Sequence, residues 1–364
     1  MNMKIAFIGT RGFFSRYGGV EISTHDIAMR LAERGHEVTV YCRQDQKKSE
    51  QPLPGNIRLI YIPTINTKHL GAFIHTLLST LHVLFLKTDI AHYQALGPSF
   101  FSFLPRLAGK KTVVTIHSQD WKRRKWNACA RSFLKFCELT AVFFPNKTVT
   151  VSQALKGYYQ TRFNKTISYI PNAVNIPEIP ADIDIKNRNI ILFTGRLVPE
   201  KRIECLIQAF NGIRPDMDLI IAGEAAFDPG YAARLGEISA GNNRIRFPGQ
   251  VSSSQLDELY RKAYIFVLPS ELEGAPLSLL EAMSYGVCPV CADIPECQEI
   301  AGNSAVYFRS GDQNDLMDKI KFLIENPAIC LEKGLMARKR VIERYNWKAV
   351  VDGSEGIYFS LKSR

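Results

Sequence analysis

The chain lacks a hydrophobic run long enough to cross a bilayer. Its longest uncharged apolar stretch, residues 70–86, has seventeen residues and includes His75 and His82. A spanning helix needs about 20 strongly apolar residues, so the expectation here is a buried or membrane-skimming helix. No secretory leader is expected either: after Met1 the apolar run from Ile5 to Ile8 stops at Gly9-Thr10-Arg11, far short of an h-region. No Gly-x-Gly-x-x-Gly follows that run, because Gly9-Thr10-Arg11-Gly12 has the wrong spacing; this counts against a dinucleotide oxidoreductase. The absence of Gly-x-x-x-x-Gly-Lys-Ser/Thr counts against a P-loop ATPase or GTPase. Cys288-Pro289-Val290-Cys291 has no second Cys-x-x-Cys and no adjacent His, so it reads as part of a buried strand and not as a zinc or redox site. The eight cysteines are therefore expected as reduced, mostly buried thiols of a cytosolic protein.

What is present is enough for a large folded core. The 364 residues are 46% apolar and 22% charged, which excludes global disorder and fits two domains or one large one. The net charge of +11 comes from 46 Lys and Arg against 35 Asp and Glu. It is unevenly spread. Residues 1–180 hold 24 basic and 10 acidic residues, a net of +14, and residues 181–364 hold 22 and 25, a net of −3. A partner specific to the first half is implied, with nucleic acid, a membrane surface and phosphorylated ligands all open on charge alone.

Strand-like and helix-like segments alternate throughout. Short apolar runs at 4–9, 37–42, 57–62, 89–92, 112–117 and 148–152 are separated by helical spacing such as Ile22, Ile27, Ala28 and Leu31. Prolines and polar residues over 171–189 interrupt the pattern. It then restarts, with runs at 190–194, 219–223, 245–247, 265–269, 288–292 and 305–308. Such alternation predicts α/β architecture with two doubly wound parallel sheets. The boundaries expected are 1–175 for an N-terminal Rossmann-like domain, 176–189 for a linker, 190–345 for a second domain, and 346–364 for a final helix packing at the domain junction. In such sheets ligands sit at the carboxyl ends of the strands.

Four clusters carry chemistry. Gly18-Gly19 precedes a helix start, where backbone N–H groups attract anions; alone it serves equally as an ordinary loop. Gly195-Arg196-Leu197-Val198-Pro199-Glu200-Lys201 follows a strand directly. Two cations and a helix start there can hold a diphosphate and stabilise it as a leaving group without a metal, the alternative being a solvated loop. Glu273 lies in the loop after the 265–269 strand, and Glu281 lies eight residues on, among Leu277, Leu279, Leu280, Ala282 and Met283. A carboxylate among apolar neighbours needs a partner, which a sugar or ribose hydroxyl pair would supply, the alternative being a helix-face Glu in water. Lys122, Arg123, Arg124 and Lys125 lie between Trp121 and Trp126, a combination suited to an anionic membrane surface or a lipid diphosphate. Nucleic acid uses the same chemistry, but no nucleic-acid module accompanies it; a solvated charged loop is the plain alternative. Phe100, Phe101 and Phe103 fit an apolar lip or the core equally. Asp182-Ile183-Asp184 and Asp216-Met217-Asp218 have a metal-binding string but read as surface carboxylates.

Together the Gly-Gly loop, the Gly195 to Lys201 segment and the Glu273/Glu281 spacing resemble the retaining glycosyltransferases of family 4, over nearly the whole chain. Ile170-Pro171-Asn172-Ala173-Val174-Asn175, Phe247-Pro248-Gly249 and Val267-Leu268-Pro269-Ser270 add to the likeness. The resemblance implies the GT-B fold, two Rossmann-like domains facing across a cleft. It also implies that Arg196 and Lys201 bind the donor diphosphate, that Glu281 holds the ribose, and that Glu273 and His117 touch the donor sugar. Gly18, Gly19, Gly195 and Gly274 would line the donor site. Where the family has Glu-Gly-Phe-Gly, this chain has Glu273-Gly274-Ala275-Pro276, which puts sugar preference in question. The segments around Tyr17-Gly18-Gly19-Val20-Glu21 and His117-Ser118-Gln119-Asp120 resemble a subgroup with bacterial rhamnosyltransferases of polysaccharide assembly, pointing to dTDP-rhamnose, with a UDP-sugar as another donor.

The expected activity is retaining, metal-independent transfer of a sugar from a nucleoside diphosphate to a lipid-linked or saccharide acceptor, with no cofactor and no nucleic-acid partner. Expected placement is cytoplasmic, peripheral to the inner face of the cytoplasmic membrane. A nucleotide-sugar epimerase and a non-catalytic polysaccharide-assembly or nucleic-acid-binding protein are the alternatives.

Overall fold

The computed structural model describes residues 2–15, 18–46, 52–65, 70–179, 185–213, 216–225 and 229–362. The chain divides into two compact units: Met1–Asn172 with Trp347–Arg364, and Ala173–Asn346.

In the first unit the strands are β1 (Lys4–Ile8), β2 (Glu37–Arg43), β3 (Ile57–Ile62), β4 (Ile90–Gln94), β5 (Lys111–Ile116), β6 (Lys147–Thr150) and β7 (Ser168–Tyr169). They form one parallel sheet in the order β3-β2-β1-β4-β5-β6-β7. The helices are α1 (Gly19–Glu33), α2 (Leu70–Phe85), the short α3 (Leu96–Ser99) and α4 (Phe103–Leu107), α5 (Ala128–Phe143) and α6 (Gln153–Phe163). Every residue of β4 is buried, as expected of a parallel sheet covered on both faces. Chain order reverses across the sheet between β1 and β4. Right-handed crossovers therefore set α1 on one face and α2, α4 and α5 on the other. Ring contacts link Phe73 of α2, Phe100 after α3 and Phe133 of α5, at 5.5–6.1 Å. The three phenylalanines considered for a lip thus serve as packing: Phe101 is buried, and Phe100 and Phe103 are half-buried.

The second unit repeats the plan. Its strands are β8 (Ile190–Thr194), β9 (Asp218–Ala222), β10 (Ile245–Gly249), β11 (Ala263–Leu268), β12 (Cys288–Ala292) and β13 (Val306–Phe308). The order is β10-β9-β8-β11-β12-β13, all parallel. Between them run α7 (Ile203–Asn211), α8 (Pro229–Ser239), α9 (Ser253–Lys262), α10 (Leu277–Ser284) and α11 (Pro295–Ala301), followed by α12 (Gln313–Glu325) and α13 (Pro327–Arg344). Local chemistry sets several starts. Ser252 and Gln255 form a reciprocal capping box at α9, and Asp312 caps α12. The strand order is the doubly wound one, whose ligand crevice lies at the reversal, here between β8 and β11.

The last helix, α14 (Trp347–Lys362), packs on the first unit against α1. Arg34 pairs with Asp352 at 2.7 Å, the buried His36 bonds Glu355 at 2.8 Å, and Tyr358 bonds the buried His92 at 2.8 Å. The described ends of the 176–189 segment, at Pro177, Glu178 and Arg188, are fastened to the second unit. Arg338 donates to the Pro177 carbonyl, Arg261 to that of Glu178, and the buried Arg188 to those of Tyr285 and Gly286. Asp182 and Asp184 lie outside the described residues, whereas Asp216 and Asp218 pair with Arg244 and Arg246. All eight cysteines are free, and all but Cys129 are buried. Burial pushes the Cys42 and Cys137 thiols up to about 12. The Cys288 thiol is raised by its hydrogen bond with Cys330.

Candidate functional site

In the second unit the loops after β8 and β11 emerge side by side. After β8 the chain stays extended: Gly195 donates to the Ala222 carbonyl at 3.0 Å, and Leu197 to that of Glu224 at 2.8 Å. This close approach depends on Gly223, whose φ is +150° and whose place a Cβ would take only 1.8 Å from the Gly195 oxygen. Any side chain there must push the two strand ends apart. Arg196 follows, half-buried. A helical turn over Pro199–Lys201 then brings the Lys201 ammonium against the Glu273 carboxylate, both largely buried. The backbone locks the same two loops: Glu271 donates its N–H to the carbonyl of the buried Glu200 at 3.0 Å, and Arg202 bonds the Glu271 carboxylate at 2.8 Å. The structure therefore brings Gly195, Lys201 and Glu273 together, with the buried Gly274 next in the chain.

Glu281, on α10, takes a second position. Its carboxylate accepts from the Tyr260 hydroxyl at 2.9 Å. That hydroxyl also lies 2.9 Å from Thr194, the last residue of β8. Burial, reinforced by the Glu281 charge, raises the Tyr260 phenol well above its ordinary range, so it stays protonated and donates. Tyr285 stacks on Tyr260 with ring centres 5.1 Å apart. A chain of hydrogen bonds thus runs from Glu281 through Tyr260 to Thr194, immediately before Gly195.

In the first unit Gly18 is the N-cap of α1 and Gly19 its first residue. Gly9, at the end of β1, has φ +109°, and a Cβ there would sit 2.7 Å from the Gln94 carbonyl. Gln94 ends β4 and bonds His117, just beyond β5, at 2.8 Å. Burial pushes the His117 imidazole down to about 4, against a smaller opposing pull from Asp120. At neutral pH it is an uncharged donor and acceptor.

The basic segment is built on a buried carboxylate. Glu138 of α5 has no exposed side-chain surface. It accepts from the Trp121 indole at 2.7 Å and from Tyr159 at 3.0 Å, with Arg162 3.9 Å away. Arg123 is held by Asp120 and Ser118, each at 3.1 Å. Lys125 lies over Trp126, and Lys122 and Lys135 lie over Trp121. Both tryptophans are half-buried, and Lys122 and Arg124 are exposed.

Sequence reasoning gave no role to Tyr260, Thr194, Gly223, Gln94, Glu138 or Ser270. Ser270, after β11, has a fully buried hydroxyl with no partner among the described residues. Glycine immediately after a strand, as at Gly223, was the one available signal. The others depend on pairings between distant segments. Among the described residues no three His, Cys, Asp or Glu side chains are grouped to hold a metal ion.

Two family models match in succession. Residues 17–177 match "Glycosyltransferase Family 4", and residues 175–344 match "Glycosyl transferases group 1". The chain is 24% identical over 279 residues to the alpha-maltose-1-phosphate synthase of Mycobacterium tuberculosis, covering 68% of this chain and 72% of that protein. It is 22% identical over 390 residues to the phosphatidylinositol N-acetylglucosaminyltransferase gpi3 subunit of Schizosaccharomyces pombe, covering 96% and 79%. Among solved structures, sucrose-phosphate synthase from Thermosynechococcus elongatus superposes with a TM-score of 0.83 at 19% identity, covering all of both chains. Anabaena Alr3699/HepE, solved in complex with UDP and glucose, does so with a TM-score of 0.79 at 18% identity, also over both whole chains.

Proposed function

We propose, from the premise that this chain is a GT-B glycosyltransferase acting on nucleotide sugars, that it transfers a sugar with retention to a lipid-linked or saccharide acceptor of cell-surface polysaccharide. The donor sugar proposed is rhamnose, carried as dTDP-rhamnose, and no metal is required. The observation that carries this reading is the Lys201–Glu273 pair at the reversal point of the second sheet, beside Gly195 and Arg196.

Breaking the bond between the anomeric carbon and the diphosphate leaves negative charge on phosphate oxygen. Lys201 and Arg196 stabilise that charge where it develops. Glu273 orients the ammonium before the donor arrives and accepts from sugar hydroxyls afterwards. Glu281 takes the ribose hydroxyl pair, with Tyr260 fixing its carboxylate. The acceptor oxygen attacks on the face the diphosphate leaves, and its proton passes to the departing phosphate oxygen. No protein nucleophile enters the step. On the first unit, the start of α1 at Gly18 and Gly19 suits a phosphate, and the uncharged His117 suits a sugar hydroxyl.

The test is incubation of the protein with a panel of nucleotide sugars, with and without a lipid-linked acceptor, with and without EDTA. Transfer from dTDP-rhamnose that persists in EDTA and keeps the anomeric configuration is the expected result. Conversion of the donor without acceptor would point to an epimerase. Inversion, a requirement for Mg²⁺ or preference for another sugar would each overturn its own part of the proposal.

A further inference from the structure

Helix α2 is built inside out. Its buried positions are Gly71, His75, Thr76, Ser79, Thr80 and Val83, and its outward positions include Leu78, Leu81 and Phe85, the last 91% exposed. A helix on a water-facing sheet layer has the opposite arrangement. The buried hydroxyls are satisfied: Thr76 donates to the Ala72 carbonyl, Ser79 to that of His75, and Thr80 bonds Tyr93. Apart from His75 Nε2, which has no partner among the described residues, the polar inner face is settled packing, and the apolar face is left outside.

Neighbouring helices extend that face. On α5, Phe136, Leu139 and Phe143 are exposed at helical spacing, and Leu107 at the end of α4 is 80% exposed. Arg106 donates to the carbonyls of Phe143 and Phe144, which ties the end of α4 to the end of α5. Lys110 donates to the Leu86 carbonyl, which ties the segment after α4 to the end of α2. A contiguous apolar surface of this kind marks an interaction site.

Its charges have one sign. Helix α2 carries no Asp, Glu, Lys or Arg, α4 carries only Arg106, and α5 carries Arg131, Lys135 and the fully buried Glu138. Lys87, Lys110 and Lys111 lie at the ends, and Asp89 is paired with Lys362. Two copies of this face would set like charges together. An anionic lipid surface offers both complements, negative headgroups for the rim and acyl chains for the stripe.

We infer that the α2–α4–α5 face is an insertion surface for an anionic bilayer, with Leu78, Leu81, Phe85, Leu107, Leu139 and Phe143 entering it. The inference deepens the proposed function, because it makes the acceptor lipid-borne and delivers it beside the Trp121-to-Trp126 segment at the start of α5.

The experiment is sedimentation of the full chain with vesicles of phosphatidylcholine alone, or of phosphatidylcholine with phosphatidylglycerol. It compares the natural protein with a variant carrying L78Q, L81Q, F85Q and L139Q. Circular dichroism checks folding, and transfer to a water-soluble saccharide acceptor is measured in parallel. The natural protein should bind only the anionic vesicles. The variant should stay folded, keep transfer to the soluble acceptor and lose at least about tenfold in partitioning, since each buried methylene contributes to insertion. Equal vesicle binding by both proteins overturns the inference, as does failure of the natural protein to bind anionic vesicles. A concentration-dependent dimer that these substitutions abolish overturns it too, in favour of a second copy on the face. Vesicle binding without any sugar transfer would refute the enzymatic reading and leave the surface standing.

Discussion

At the scale of single residues, two carboxylates in one unit have different partners. Glu273 faces a lysine and Glu281 faces a phenol. Lys201→Ala removes the cation opposite the departing phosphate and leaves the Glu273 carboxylate without it. Losing one donor aimed at developing charge costs about a hundred- to a thousandfold in turnover. The expected result is a fall in kcat of that order with the far-ultraviolet spectrum unchanged. Tyr260→Phe, by contrast, leaves the diphosphate contacts alone and should raise the donor KM more than it lowers kcat. Steady-state kinetics on both variants check the division of labour, which equal effects on kcat would refute.

At the scale of elements, the strands and most helices were legible because a parallel strand buried on both faces leaves a short, almost wholly apolar run. Ile190–Thr194 and Ala263–Leu268 are such runs. The two-residue β7 left no such signature. The Gly195-to-Lys201 segment and Glu273 were legible as well, since the first follows a strand directly and the second lies in the loop after one. What sequence could not convey is who meets whom. That Lys201 reaches Glu273, seventy-two positions away, depends on β11 pairing with β8. The Glu138 cluster was illegible for the same reason: a glutamate in the middle of α5 gives no sign that Trp121, Tyr158 and Tyr159 converge on it. Trp121→Phe keeps an aromatic side chain but deletes the pyrrole ring with its N–H donor, so a buried carboxylate loses one of its bonds. The cost should be about 1–3 kcal/mol, measured by urea unfolding followed by circular dichroism. An unchanged midpoint would show that solvent reaches Glu138.

At the scale of the whole molecule, histidine divides the two units. All seven histidines lie within residues 1–172, and none lies in residues 173–346. Burial pushes three of them down, His75 and His117 to about 4 and His92 to about 3, the last helped by its nearness to His117. Below the ordinary value of about 6.5 the unfolded chain takes up protons that the folded unit refuses. Stability is thus fully present above that value and is lost as pH falls towards 4. Scanning calorimetry from pH 7.5 to 4.5 should show the first unit's transition moving down ahead of the second's, with a shallower slope in His92→Gln. Parallel slopes would refute this assignment. The return of α14 to the first unit has a temporal consequence as well. The second unit is an insertion in the first, so the ribosome must make 174 residues between Asn172 and Trp347 before α14 exists. At roughly 5–20 residues per second the nascent first unit waits some ten to thirty-five seconds with the flank of α1 uncovered. Through that interval the inserted unit is the first part of the chain able to finish folding.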